Sequence, residues 1–143
     1  MKKEIFQDIC NQVFSCLNNN EQLTIYLEGE NSQYFRFNDS KLRQSGIIED
    51  YVVTISLFSG KKSLQAATTV SSDITSSVSN LKNEINALRD PLSLIPENEL
   101  TSFPDNFESI ELIKSGNLPP RSEILDALMD IITKDYLTGV WTS

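Results

Sequence analysis

The 143-residue chain has no histidine, one tryptophan, two cysteines, and only 12 Lys and Arg against 20 Asp and Glu. Without histidine, its many serines lack the usual general base, and zinc loses its commonest protein ligand. Cys10 and Cys16 lie in a stretch of helical period. At ~1.5 Å of rise per residue they stand about 9 Å apart along the axis and on different faces, so they do not bridge each other there. Cys10 falls among Ile5, Phe6, Ile9 and Val13, where a small apolar side chain fits a core, and no CxxC pair offers a structural zinc site. The shortage of bases leaves a formal charge of −8, which speaks against a general binder of nucleic-acid backbones. A local basic patch could draw only on Arg36, Lys41, Arg43, Lys61 and Lys62, which are interleaved with Asp39, Glu49 and Asp50. No run approaches the ~20 apolar residues of a membrane span. The opening "MKKEIFQDIC" lacks the continuous apolar region of a signal peptide. The expectation is a soluble, cytoplasmic protein with no membrane partner.

What is present suits one domain, since a chain of this length buries about 68–70% of its unfolded surface. Ile5, Phe6, Ile9, Cys10, Val13, Phe14 and Leu17 recur at helical steps over residues 3–18. "NNNE" then breaks the period. "QLTIYLEGE" alternates as a strand does, "GENS" reads as a turn, and "QYFRF" alternates Phe35 and Phe37 against Tyr34 and Arg36. "NDS" reads as a second turn, Ile47 to Phe58 as a long central strand, "SGKK" as a hairpin turn and "SLQAATTV" as a fourth strand. Short connections make these four an antiparallel meander.

Beyond the possible N-caps of "SSD", Ile74, Val78, Leu81, Ile85 and Leu88 mark a second helix that packs on the sheet and stops before Pro91. Residues 91–120 form a long Pro-containing loop, with a short helical turn possible in "FESIELIKSG". "RSEILDALMDIITK" is a third helix, capped by Ser122, with Ile124, Leu125, Leu128, Met129, Ile131 and Ile132 facing inward. The reading is therefore an α+β domain, residues 1–143: a four-stranded antiparallel meander with about three helices mainly on one face. The apolar "YLTGVWTS" at the end suggests a chain cut from a longer protein.

Carboxylate pairs at Glu49-Asp50, Glu97/Glu99 and Asp126/Asp130 read as solvated charge, because no His, Cys or third carboxylate converges with them. No residue of this chain is assigned to catalysis or to a metal. The polar cluster of "YFRFNDSKLRQSG" remains. Phe35 and Phe37 fit a sheet-face core better than a peptide platform. Arg36 and Arg43 flank a turn, where pairing across the hairpin with each other's acidic neighbours, or with Glu28 and Glu49, is the structural alternative to a ligand contact. Asn38-Asp39-Ser40 matches a glycosylation sequon but serves better as a turn.

The order α-β-β-β-β-α-loop-α, with Arg36, Phe37, Asn38, Leu42, Arg43 and Gln44 at the second turn and "YLTGVW" after the third helix, resembles the N-terminal domain of the TldD/PmbA family. Members of that family are metallopeptidases, also described as modulators of DNA gyrase. The resemblance covers nearly the whole chain. It implies a non-catalytic domain, belonging to a zinc peptidase or to its inactive partner, that shapes substrate access and subunit assembly. Zinc, held through an HExxxH helix and a later cysteine, would belong to a C-terminal domain of the catalytic parent or partner. Peptide substrates and a homo- or heterodimer are implied with it. Arg36, Asn38, Arg43 and Gln44 become the candidate contacts to substrate or partner, with Arg36 and Arg43 meeting carboxylates and Gln44 a backbone amide. The rival reading is a stand-alone acidic interaction module that binds a protein through a sheet edge or the Ile74–Leu88 helix.

Overall fold

The computed structural model describes residues 1–105, 108 and 110–143. In chain order these form α1 (Lys3–Phe14), β1 (Glu21–Asn38), β2 (Lys41–Ser59), β3 (Lys62–Thr69), α2 (Ile74–Leu94), α3 (Arg121–Lys134) and β4 (Gly139–Thr142). The fold class is α+β, with three helices and one antiparallel four-stranded sheet in the order β3-β2-β1-β4.

The strand count matches the expectation from sequence, but the expected run of four consecutive strands in one meander does not: two of them fuse into β1, and the fourth strand follows α3 and pairs with β1. "GENS" is not a turn: β1 runs unbroken through it. Gly29 serves a close approach instead, because a Cβ there would lie 2.6 Å from Cδ1 of Tyr51, whose ring packs against the bare backbone. The chain reverses at Asp39 and Ser40, with φ of 51° and 54°. Both lie in the left-handed region that a tight hairpin turn of two residues demands. "KLRQSG" accordingly belongs to β2, and the fourth strand is β4, from the apolar tail. Gly60, at φ 57°, opens the β2–β3 turn as expected, and Ser59 pairs with Lys62.

The chain forms two compact units. The first comprises Met1–Gly29 and Asp50–Glu108. Its core joins Ile9 and Val13 of α1, Val78, Leu81, Ile85 and Leu92 of α2, and Leu23, Val53, Ile55 and Leu57 of the sheet. Alternate residues 53, 55 and 57 are fully buried, so one sheet face receives both helices, and α2 packs on the sheet as its spacing predicts. Asp73 caps α2 by accepting from Thr75 N at 3.1 Å. Buried Ser77 donates its hydroxyl to Ser71 O and accepts from Ser71 N, each at 3.0 Å. The helix does not stop at Pro91. It continues to Leu94, because Leu92 anchors the last turn in the core and Lys62 Nζ donates to the otherwise bare carbonyl of Ser93 at 2.9 Å. α1 is shorter than expected, and Phe14 is 44% exposed.

The second unit comprises Glu30–Glu49 and Ser109–Ser143. Phe35, Phe37 and Ile124 form its core, with Leu125, Leu128, Ile132, Leu137 and Trp141 packed around them. Met129 and Ile131 of α3, expected inside, are 43% and 45% exposed, because this small core needs only a narrow stripe of the helix. Pro120, not Ser122, occupies the cap position, and no side chain caps this helix. The helical turn suggested in 107–116 lies partly outside the described residues, and Ile110–Gly116 carry no helix.

Replacing Gly29 by valine is expected to cost about 1–3 kcal/mol, the range for forcing atoms into filled space. Urea denaturation of Gly29→Val, Tyr51→Ala and the double variant checks this. The double variant should be less destabilised than the sum, because the clash disappears with the ring.

Candidate functional site

The four residues singled out from sequence all lie in the second unit but divide into two pairs. Asn38 and Arg43 belong to the hairpin tip. Arg43 Nε donates to Asn38 O at 3.4 Å, and Asn38 Nδ2 donates to Asp39 Oδ2 at 3.3 Å. The tip is tied to the segment before β4. Tyr136 donates its hydroxyl to Asp39 Oδ1 at 2.5 Å, Ser40 N donates to Leu137 O at 3.0 Å, and Leu137 N donates to Ser40 Oγ at 3.1 Å. Asp39 N also donates to Thr138 Oγ1 at 3.3 Å. These bonds make Asn38 and Arg43 parts of a structural turn.

Arg36 and Gln44 come together elsewhere, in a shallow concavity of about 440 Å³ lined also by Tyr34, Ile47, Ile48, Val140 and Thr142. The alternation of β1 explains the placement. Phe35 and Phe37 turn inward, 1% and 3% exposed, so Tyr34 and Arg36 take the opposite face. β4 supplies the rest through its register, with Tyr34 beside Thr142 and Arg36 beside Val140. Beneath this face, Phe35 is held between Trp141, at 5.7 Å between ring centroids, and the Arg121 guanidinium, 5.0 Å from its own centroid. Gly46 lets the Tyr34 ring lie close against β2, since a Cβ there would stand 2.7 Å from Tyr34 Cε1.

The face is apolar and open, with Ile47 68%, Val140 62% and Ile48 42% exposed. None of its lining residues is acidic. The Arg36 side chain forms no hydrogen bond or ion pair among the described residues. The pairing of Arg36 and Arg43 with Glu28 and Glu49, open in the sequence, is therefore not made by Arg36, and Arg43 turns to a backbone carbonyl instead. The apolar members Ile47, Ile48 and Val140 escaped sequence reasoning because each looks like an ordinary strand residue. Only the Tyr34/Arg36 alternation signalled the face.

The first unit holds a larger basin of about 800 Å³ around Glu21, Lys62 and Arg89, but its principal charges already have partners. Arg89 Nε donates to Glu21 Oε1 and Nη2 to Glu21 Oε2, both at 2.8 Å, while Nη2 also meets Cys16 O at 2.8 Å and Nη1 meets Asn86 Oδ1. Those hydrogen bonds are the chief cause holding the Glu21 carboxyl at about 2, against the opposing effect of burial. This arrangement joins the start of β1 to α2. Cys10 is half-buried, and desolvation raises its thiol pKa, as befits a core residue. The other candidate bases are dispersed: Lys61 pairs with Glu99 and Lys62 with the end of α2, in the first unit.

Among the described residues no helix is long and apolar enough to cross a membrane. No family model and no curated protein matches the chain.

Proposed function

We propose that this chain is a non-catalytic N-terminal domain of a TldD/PmbA-like zinc metallopeptidase or of its inactive partner subunit. In this reading it works in the cytoplasm, within a homo- or heterodimer, and shapes the access of peptides to a zinc site carried by another domain. The observation that carries the proposal is the Arg36–Gln44 face. Two residues chosen for their likeness to the family motif lie together on an open, apolar sheet face, where a cation without a partner can meet a carboxylate and an amide can hydrogen-bond a peptide backbone. The histidine-free composition is consistent with chemistry located elsewhere.

The test is to purify the native protein from its source, identify its full polypeptide and any co-purifying subunit by mass spectrometry, and assay peptide hydrolysis with and without a zinc chelator. The expected result is an HExxxH-bearing segment in the same chain or in a bound partner. Cleavage should cease on chelation and fall at least several-fold in an Arg36→Ala/Gln44→Ala variant. A native protein with neither zinc segment nor peptidase partner would instead favour an acidic interaction module and overturn the proposal.

A further inference from the structure

The backbone of β4 adds a second feature to the Arg36 face. Gln33 and Ser143 exchange both hydrogen bonds, N to O at 3.0 and 3.1 Å. In an antiparallel ladder such pairs alternate with pairs whose N–H and C=O groups point away from each other. With Tyr34 beside Thr142 and Arg36 beside Val140, Val140 and Thr142 therefore direct their backbone groups away from β1. β4 ends the strand order, so these groups form an edge with no strand beside it among the described residues. The side chains of the same two residues line the Arg36 concavity.

We propose that this edge and face together take an extended acidic peptide segment. Its backbone pairs with Val140 and Thr142, and an Asp or Glu side chain reaches over Val140 to Arg36. An added strand lies about 4.8 Å beyond β4 and two spacings, roughly 10 Å, from β1. A residue set opposite Val140 shows its side chain on the face of Val140 and Arg36. The long side chains of Arg and Glu span the gap between them.

Charge selects the occupant. The concavity offers one unpaired guanidinium and no carboxylate, so the complementary charge is a carboxylate. A nucleic-acid strand needs several cations along its backbone, and this face offers one. A second copy of the chain would bring another Arg36 toward this face in place of a carboxylate. The inference deepens the proposed function by naming its peptide class, and it rests on that reading only in using the same face.

The sole tryptophan provides the readout, since Trp141 lies in β4 between the two edge residues. The 143-residue chain is titrated, following Trp141 emission, with a capped ten-residue peptide of alternating Thr and Val carrying one central Glu. Versions with Gln or Lys in place of Glu, and one with N-methylated alternate amides, are titrated in parallel. The Glu peptide should bind about two- to fivefold more tightly than the Gln peptide, as expected for an ion pair at an exposed arginine. Lys should bind more weakly still, and N-methylation on the pairing edge should abolish binding. Arg36→Gln should equalise the Glu and Gln peptides while leaving the unfolding midpoint unchanged. Equal affinities for Glu and Gln, a Glu preference that survives Arg36→Gln, or indifference to N-methylation each overturn the proposal. So does self-association through β4, seen by light scattering as a dimer that Val140→Lys dissociates. The binding assay needs no peptidase subunit. Failure here beside a native zinc partner sinks only the acidic-peptide inference, whereas selective binding without such a partner sinks only the peptidase reading.

Discussion

Phe35→Ala is expected to lower the unfolding free energy by about 3–5 kcal/mol, the range for truncating a buried aromatic. Phe35 is 1% exposed and lies at the centre of the second unit's core. Among the described residues only Phe37 and Ile124 are buried with it in this core, so few neighbours can close over the void. The loss also removes the ring that Trp141 packs against and that Arg121 covers. Urea denaturation measures the change, and Trp141 emission should shift toward the red in the folded variant as the indole gains water. Amide exchange in α3 and β4 should accelerate, because both elements close on this ring. A loss under about 1 kcal/mol, far below the usual aromatic truncation, would show that the second unit draws its stability from elsewhere.

Arg89→Ala is the second large effect, with an expected cost of about 2–4 kcal/mol. Breaking a buried pair from one side costs about 3–5 kcal/mol, and the lower range reflects the 25% exposure of Arg89 against 9% for Glu21. The substitution leaves the Glu21 carboxylate without its paired donors and removes the partner of Cys16 O.

The same pair sets an acid limb of stability. The folded-state pKa of Glu21 is about 2, below its ordinary 4.5, so between these values the unfolded chain binds more protons than the folded one. Stability from this group is complete above pH 4.5, falls as the pH drops toward 2, and is gone below that. Urea midpoints taken from pH 6 to pH 2 should fall more steeply in the parent than in Glu21→Gln or Arg89→Ala. Parallel slopes in all three proteins would remove Glu21 as the source.

Regular periodicity made much of this architecture readable. The stripe from Val78 to Ile85 identified α2 and its packing, and the β-branched run around Val53 to Leu57 identified the central strand, because burial on a sheet imposes both patterns. Turns were harder. Gly29 has the chemistry of a turn residue, yet its lack of a side chain serves the Tyr51 ring, a contact made across strands and invisible in local sequence. Pro91 likewise marks a helix stop until tertiary anchoring by Leu92 and Lys62 overrides it. At the candidate site, alternation placed Arg36 opposite Phe35 and Phe37, whereas the contribution of Val140 and Thr142 depended on a pairing over a hundred residues distant in the chain.

The tie between the hairpin tip and the approach to β4 has a kinetic consequence. Asp39 and Tyr136 stand 97 residues apart in sequence, so their contact closes one of the longest loops available to this chain. The hairpin and α2 can form from neighbouring segments, but α3 and β4 must search for the tip across that length, at an entropic cost that contacts made late must offset. Assembly of the second unit should therefore be the slow step, and during that interval the outer side of β1 stays open to any other strand.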